Sequence, residues 1–376
     1  MGFRSWTVVP SPLNRNRPLG ARFGLQSVNN LSVDLPSMTE ILALPEDGFF
    51  PFLGRTDESY ETMKLEKSDG TIRYISSPLG RLRKFQFQFL KHFLAEPGLA
   101  HSAAFAYVRG KSAVQCARVH EDADWLIKID LKDFFHSIDE RQIYREFRRR
   151  GVAKYRSFVM ARLLTRSPEG FEGPLPRKYR MHRPHSLSKK FGVRNKRLGF
   201  LPQGSPTSGA ISNIVCFDLD NALEKISAQR SLRYTRYADD IVMSGTGQFN
   251  RLTAENTLRE VLRTVEKFGF RANTGKTRII PPGARLKVLG VLVGKPGLRL
   301  PREKRSQIDN HLRGIQKFGF KTHSHRLKLK DEYALLNLVV GNLVWAHEVN
   351  SNWARPRLAR LRRLTIEQLG EVKDLS

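Results

Sequence analysis

The chain has 376 residues, with 65 Lys and Arg against 36 Asp and Glu and a formal net charge of +29. Such length predicts several subdomains around a sizeable core, and such charge predicts a polyanion as partner. No apolar run approaches the ~18 residues of a membrane-spanning helix, and the two distant cysteines, Cys116 and Cys216, leave neither a disulfide framework nor a zinc site.

Residues 1–60 form an N-terminal extension rich in Pro, Asn and Ser, with one helix predicted near Ser37 to Leu44. Met1 to Trp6 lacks the apolar stretch of a signal peptide, and Trp6 stands where a myristoylation signal needs Ser or Thr. A reducing cytoplasm is the expected compartment. Residues 61–128 begin with a hairpin turning at Ser68-Asp69-Gly70, followed by a helix from Leu79 to Leu94. Leu82, Phe85, Phe89 and Phe93 share one face of that helix, which predicts core packing rather than a base-stacking platform. Lys67 and Arg73 put positive charge on the hairpin, and a solvated strand face is their plain reading.

The apolar strand from Trp125 ends on Asp130, with Asp133 three residues further and the aromatic pair Phe134 and Phe135 behind it. An amphipathic helix from Ile138 to about Leu164 is predicted next, with Arg145, Arg148, Arg149 and Arg150 on its solvated or nucleic-acid-facing side. From Arg177 to Arg197 there is no acidic residue. Arg177, Lys178, Arg180, Arg183, Lys189, Lys190, Arg194, Lys196 and Arg197 form a block that repels itself unless it meets phosphate. The expectation is a basic insertion that orders against nucleic acid and adds roughly one unit of log–log salt slope for each phosphate neutralised. A merely solubilising loop is the rival reading.

Ser205 and Pro206 read as N-cap and first helical residue, so a helix is predicted from Pro206 towards Ile226 with its positive end aimed at the acidic residues. Then the run Tyr234 to Ser244 sets Asp239 beside Asp240 where a strand should turn. Two like charges side by side in an apolar setting are costly unless a cation neutralises them, which points to divalent metal. A lone Asp-Asp pair is more often a solvated turn. Here a second acidic strand end, Asp130, supplies the partner. In a two-metal polymerase site, carboxylates from neighbouring strands hold two magnesium ions about 4 Å apart, one activating a 3′-hydroxyl and one steadying pyrophosphate; Asp130, Asp239 and Asp240 fit those roles.

Gly110-Lys111-Ser112 and Gly275-Lys276-Thr277 mimic the end of a phosphate-binding P-loop, but Phe105 and Phe270 replace its required glycine, so neither is one. From about Pro301 the pattern is basic and helical, in three segments: Arg302 to Ile315, Glu332 to Trp345 and Arg355 to Leu369.

Leu126 to Ile138, Leu201 to Ser208 (Leu-Pro-Gln-Gly-Ser-Pro-Thr-Ser) and Tyr237 to Asp240 resemble, in the family's order, motifs A, B and C of the reverse transcriptases, and within them the bacterial group of retron, group II intron and defence-associated enzymes. Gly269 to Thr277 is similar to motif D and Val288 to Gly294 to motif E. Gly70 to Pro78 with Leu82 to Gln86, and Ala104 to Ser112, are similar to the two fingers motifs. The resemblance implies an α+β right-hand polymerase fold: fingers over 61–128, palm with an antiparallel sheet and packed helices over 129–167 and 201–300, a basic fingers insertion over 168–200, and a helical thumb over 301–376. It implies an RNA-directed DNA polymerase with two Mg2+ ions at Asp130, Leu131, Asp239 and Asp240.

Further roles come only from that resemblance. Lys276 matches the motif D lysine near the leaving pyrophosphate, a general acid, with a surface lysine closing a turn as the competing view. Lys67 and Arg73 would close over the triphosphate. Gln203 and Gly204 would lie near the incoming nucleotide and template. Phe135 would pack under the sugar and exclude a 2′-hydroxyl, or else be an ordinary buried aromatic, as Phe134 is read. Asp133 either touches the triphosphate or caps the following helix. Gly341 to Trp345 is similar to a thumb signature in which close helix packing needs the small residue. The implied partners are a structured noncoding RNA template, the RNA–DNA hybrid read by shape and phosphate, dNTPs, and an effector protein encoded nearby in a retron-type antiphage system. Cys116-Ala117-Arg118-Val119-His120 and Val288-Leu289-Gly290 depart from the retron elements Asn-Ala-x-x-His and Val-Thr-Gly. A defence-associated relative with protein-primed or repetitive synthesis therefore stays open. So does a silent RNA-binding scaffold, against which the three retained aspartates speak.

Overall fold

Two strands, β1 (Tyr60–Glu66) and β2 (Ile72–Pro78), pair antiparallel from Tyr60 opposite Pro78 to Glu66 opposite Ile72, as the Asp-Gly turn signal predicts. The computed structural model describes residues 52–53, 56–67, 70–179 and 198–370. The helix expected near residues 37–44, the hairpin tip at Ser68 and Asp69, and the basic residues Arg180, Arg183, Lys189, Lys190, Arg194, Lys196 and Arg197 lie outside the described residues.

Helix α1 (Gly80–His92) follows the hairpin and buries Leu82, Phe85 and Phe89. The aromatic stripe is core, as its spacing predicts. Gln86 on the same helix is fully buried because its amide donates to the Tyr60 hydroxyl at 3.0 Å and the Leu163 carbonyl at 2.9 Å. After α2 (Ala113–Arg118), opened by a Ser112–Gln115 capping box, comes the central strand β3 (Trp125–Asp130).

After a short helix α3 (Phe134–Ser137), the expected helix from Ile138 to Leu164 is instead two pieces, α4 (Glu140–Arg149) and α5 (Lys154–Leu164). Asp139 starts α4 through a capping box with Gln142, and Gly151 in the left-handed region (φ 83°) ends that segment. Nor is α5 amphipathic. Ser157 to Leu164 are all buried, and Arg162 is tolerated there because it pairs with the equally buried Glu140 at 2.8 Å.

A second predicted helix is also broken. The helix begins later, as α6 (Ser208–Val215), with Thr207 rather than Ser205 at its N-cap position; the Ser205 hydroxyl donates to Gln86 Oε1 at 2.6 Å and accepts from the Thr207 amide at 3.4 Å, and the helix bends at Cys216 and continues as α7 (Phe217–Ala228).

Strands β4 (Arg233–Tyr237) and β5 (Asp240–Gly245), helix α8 (Arg251–Lys267) and strand β6 (Arg278–Ile280) complete an antiparallel sheet of order β4-β5-β3-β6. A small hairpin, β7 (Lys287–Val288) with β8 (Val291–Leu292), leads to three helices, α9 (Arg302–Arg326), α10 (Glu332–Val349) and α11 (Ser351–Leu369). The first runs past its predicted end at Ile315 and carries a kink at Gly319.

The strand period of two explains how these parts join. Ile127, Ile129, Ile241 and Met243 point into one core with α1, α4, α5 and α7, whereas Leu126 and Val242 point into a second core with Val288 and the three C-terminal helices. The sheet is thus buried on both faces. The close packing expected at Gly341 is not found: a Cβ there would meet nothing within 4 Å, and the residue faces outward on α10.

Candidate active site

Register brings the acids together. Asp130, last in β3, is the cross-strand partner of Asp240, first in β5, and the Leu131 amide donates to the Asp239 carbonyl at 2.9 Å. Ala238, at φ 56°, makes the tight turn from β4 that sets Asp239 beside its neighbour. The turn itself is held from behind by Arg236, which donates to the Ala238 carbonyl at 3.2 Å. On the other flank the Asn273 amide donates to the Asp130 carbonyl at 2.7 Å, fixing the loop that carries Lys276.

Electrostatics make these carboxylates costly to ionise where they stand. Burial holds the Asp239 carboxyl above the usual carboxylate range, its own backbone amide and the Lys276 and Arg73 charges oppose this, and Asp130 adds to it. Asp240 is likewise raised, first by burial and then by the charge of Asp239. Lys276, itself 61 % exposed, places its ammonium 3.2 Å from Asp130 Oδ1. Among the described residues no three His, Cys, Asp or Glu side chains have closed into a ligand set for one ion. Half-buried carboxylates at adjoining strand ends, one already holding an ammonium, form a donor set suited to a hard cation, and Leu131 could add only its backbone carbonyl.

The cleft around them has a volume of about 480 Å³ and ranges Lys128, Lys276, Arg278, Arg285 and Lys287 about Asp130 and Asp240. It shares Lys287 and Gly290 with a larger groove of about 750 Å³ that runs on to Lys304, Gln307 and Trp345 of the C-terminal helices. A basic path therefore leads from the acids to the helical region.

The remaining predicted residues fall as follows. Arg73 is exposed on β2, and its charge reaches Asp239. Lys67 is exposed and closes the hairpin turn with its backbone. The loop carrying Gln203 is latched to β2, the Ser76 amide donating to the Gln203 carbonyl at 2.6 Å. Gly204 adopts φ 115°, and a Cβ there would come within 2.6 Å of Ile75 Cγ2, so the close approach requires glycine. Phe135 is half-buried with Phe134 edge-on at 5.3 Å, while Phe134 is core and stacks on Phe270. Asp133 is exposed and makes no side-chain capping bond, which removes the capping alternative. Arg177 is exposed. Lys178 is engaged internally, with Asp139 Oδ2 at 2.9 Å and the Ser137 carbonyl at 2.7 Å.

Three residues were not singled out by sequence. Arg236 and Asp220 form a wholly buried pair behind the acidic turn. Their signal was a charge in phase with Tyr234 on an apolar strand. Tyr107 stands beside Phe135 with ring centroids 6.1 Å apart; it lies within the segment likened to a fingers motif, but no role was given to it individually.

A family model described as reverse transcriptase (RNA-dependent DNA polymerase) matches residues 65–293. The chain is 33 % identical to the retron Mx162 reverse transcriptase of Myxococcus xanthus over 278 residues, 69 % of this chain and 54 % of the relative. It is 27 % identical to the retron Ec73 reverse transcriptase of Escherichia coli over 358 residues, 90 % of this chain and 97 % of that one. It spans about half the length of the two Myxococcus relatives it matches. A foamy viral protease-reverse transcriptase bound to double-stranded DNA aligns over 81 % of this chain and 43 % of its own, at 13 % identity and a TM-score of 0.43.

Proposed function

This chain belongs to the reverse transcriptase family, and on that premise we propose that it copies RNA into DNA by two-metal nucleotidyl transfer at Asp130, Asp239 and Asp240. The observation that carries the reading is the pairing of Asp130 with Asp240 across β3 and β5, beside an Asp239 whose carboxyl is raised by burial and by Asp130. Two magnesium ions held by these carboxylates and the Leu131 carbonyl would supply the charge that activates a primer 3′-hydroxyl and steadies pyrophosphate.

The chain's own residues do the rest. Arg73 and Lys67 on the β1–β2 hairpin meet the triphosphate from the fingers side. Phe135 lies under the sugar and leaves no space for a 2′-hydroxyl. The latched Gln203-Gly204 loop lets backbone approach the nascent base pair. Lys276 exchanges Asp130 for the leaving pyrophosphate, to which its ammonium gives a proton. Asp133, free of a capping role, faces the triphosphate. The groove between the β7 hairpin and helices α9 and α10, with Lys287 and Lys304 on its walls, takes the RNA–DNA hybrid through phosphate contacts.

In this reading fingers, palm and thumb divide the chain at the boundaries expected from sequence, and Arg177 meets template phosphate. The template is a structured noncoding RNA, and the setting is a retron-type antiphage unit in the cytoplasm with a protein effector. Similarity to named retron enzymes supports this. Among the described residues no helix is long and apolar enough to cross a membrane.

The test is primer extension on a structured RNA with dNTPs, comparing the parent with Asp239→Ala and Asp240→Ala. The parent extends, and each variant loses more than about 10²-fold in rate while still binding RNA. A parent that incorporates no dNTP on any primed RNA would leave the silent RNA-binding scaffold as the better reading.

A further inference from the structure

Tyr107 is held in the left-handed region at φ 61°, a conformation an aromatic residue rarely adopts and keeps only when its surroundings impose it. The surroundings do so here. Before it, the Phe105 amide donates to the Arg236 carbonyl and the Arg236 amide donates to the Ala103 carbonyl, both at 2.9 Å, tying this segment to β4. Immediately before the tyrosine, the buried Ala106 accepts a hydrogen bond from Asn213 Nδ2 at 2.8 Å, which ties it to α6. With its neighbours pinned to both the acidic strand and the motif B helix, the Tyr107 side chain is turned outward and is 58 % exposed.

Where it is turned is informative. The base of its ring packs against Gly209 of α6, where a Cβ would sit 2.3 Å from the ring's Cγ. It meets Phe135 edge to face at 61°. Its phenol feels the charges of Asp239 and Arg73, the two sides of the nucleotide site. A strained, outward-facing aromatic ring steeply inclined to a second one, over a glycine and beside the acidic turn, makes a corner rather than a core contact.

We propose that Tyr107 and Phe135 together form a two-sided wall for the sugar of the incoming nucleotide, with Tyr107 a second determinant of deoxyribose selection. The inference rests on the polymerase reading and deepens it. Phe135 blocks the sugar from beneath, while Tyr107 blocks it from the side and keeps Phe135 from swinging away. Gly209 is the space that lets the Tyr107 ring lie back far enough to admit deoxyribose.

Single-nucleotide incorporation of a dNTP and its matching rNTP on one primed RNA tests this, with the thermal melt of each variant read alongside. Tyr107→Gly removes the ring and relieves the backbone, since glycine accepts φ 61° without cost. It is expected to melt at or above the parent temperature while its dNTP-over-rNTP preference falls roughly tenfold. Tyr107→Phe keeps the ring and should keep the parental preference. Gly209→Ala pushes the ring forward and should lower dNTP efficiency with hybrid affinity unchanged. An unaltered preference in a folded Tyr107→Gly protein overturns the proposal and leaves the polymerase reading standing; a parent that incorporates neither nucleotide overturns both.

Discussion

Arg236 and Asp220 are joined through both carboxylate oxygens, at 2.7 Å each, and neither side chain has any exposed surface. The same guanidinium also reaches the Ala238 carbonyl, one residue before Asp239, while the Tyr234 hydroxyl donates to Asp220 at 2.6 Å. A charge pair is thereby spent on holding the backbone of a turn.

Removing one partner, as in Arg236→Met, leaves a buried carboxylate unpaired and is expected to cost about 3–5 kcal/mol of stability. Replacing the set together, Asp220→Leu with Arg236→Met and Tyr234→Phe, should restore most of that, because an apolar cluster of similar volume needs no partner. The restored protein should still polymerise more slowly, since the Ala238 carbonyl has lost its donor. Thermal melts beside primer extension check this, and full activity in the triple variant would show that the pair serves stability alone.

The raised carboxyls of Asp239 and Asp240 carry a stability consequence of definite sign. Their folded values lie above the unfolded ones, so ionisation penalises the folded protein in full above the folded value, and the penalty vanishes below the unfolded value of about 4. Metal-free Asp239→Asn or Asp240→Asn is therefore expected to melt higher than the parent at neutral pH, with the gap closing as pH falls towards about 4. Added Mg2+ should raise the parent's melting temperature and leave the variants nearly unmoved.

Lys276→Ala should lower kcat by roughly 10²-fold, the usual worth of one general acid. It should also tighten Mn2+ binding, because the ammonium no longer competes at Asp130. Electron paramagnetic resonance of bound Mn2+ gives the second readout without turnover. Lys276→Arg keeps a cation at Asp130, so it should retain the parent's metal affinity but donate a proton poorly.

His120 should make the protein acid-sensitive. Its ring is buried between Thr235 Oγ1 at 2.7 Å and Ser244 Oγ at 2.8 Å, clasping β4 to β5, and burial pushes its pKa down to about 3. The unfolded chain takes up that proton near pH 6.5. Stability is thus complete above that value and falls by about 1 kcal/mol for each pH unit below it, until the folded ring also titrates. His120→Gln should flatten the dependence between pH 6.5 and about 4, as read in denaturant melts at each pH.

Much of this was legible in the chain because the costly features are local. An apolar strand that ends on an acid, as at Asp130, and two adjacent acids in an apolar run, as at Asp239 and Asp240, are intelligible only if something cationic comes to them. The three C-terminal helices followed from the basic, helical pattern of the segments they span. The helix boundaries were less legible: Gly151 could have been seen as a stop, but Cys216 bends its helix with ordinary chemistry and no sequence mark. Ser205 misled because the helix starts only at Ser208, while its hydroxyl serves the preceding turn at Thr207 and a contact with Gln86, 119 positions away. Gly341 misled in the opposite sense, since a small residue expected inside a helix contact faces open space. Arg236 looked like any strand-surface cation until the fold supplied Asp220 from a separate helix. Long-range pairing of this kind leaves no local trace.

The two-faced sheet has one more implication. Leu126 and Val242 lie on the very strands that end in Asp130 and begin with Asp240, yet their packing belongs to the C-terminal helices. Those helices cannot swing away as an independent arm without baring the back of the strands that carry Asp130 and Asp240. The bend at Gly319 belongs to this seam too, because the adjoining Phe320 is buried in it. Shortening the protein to a thumbless core should yield an insoluble sheet, not a slower enzyme.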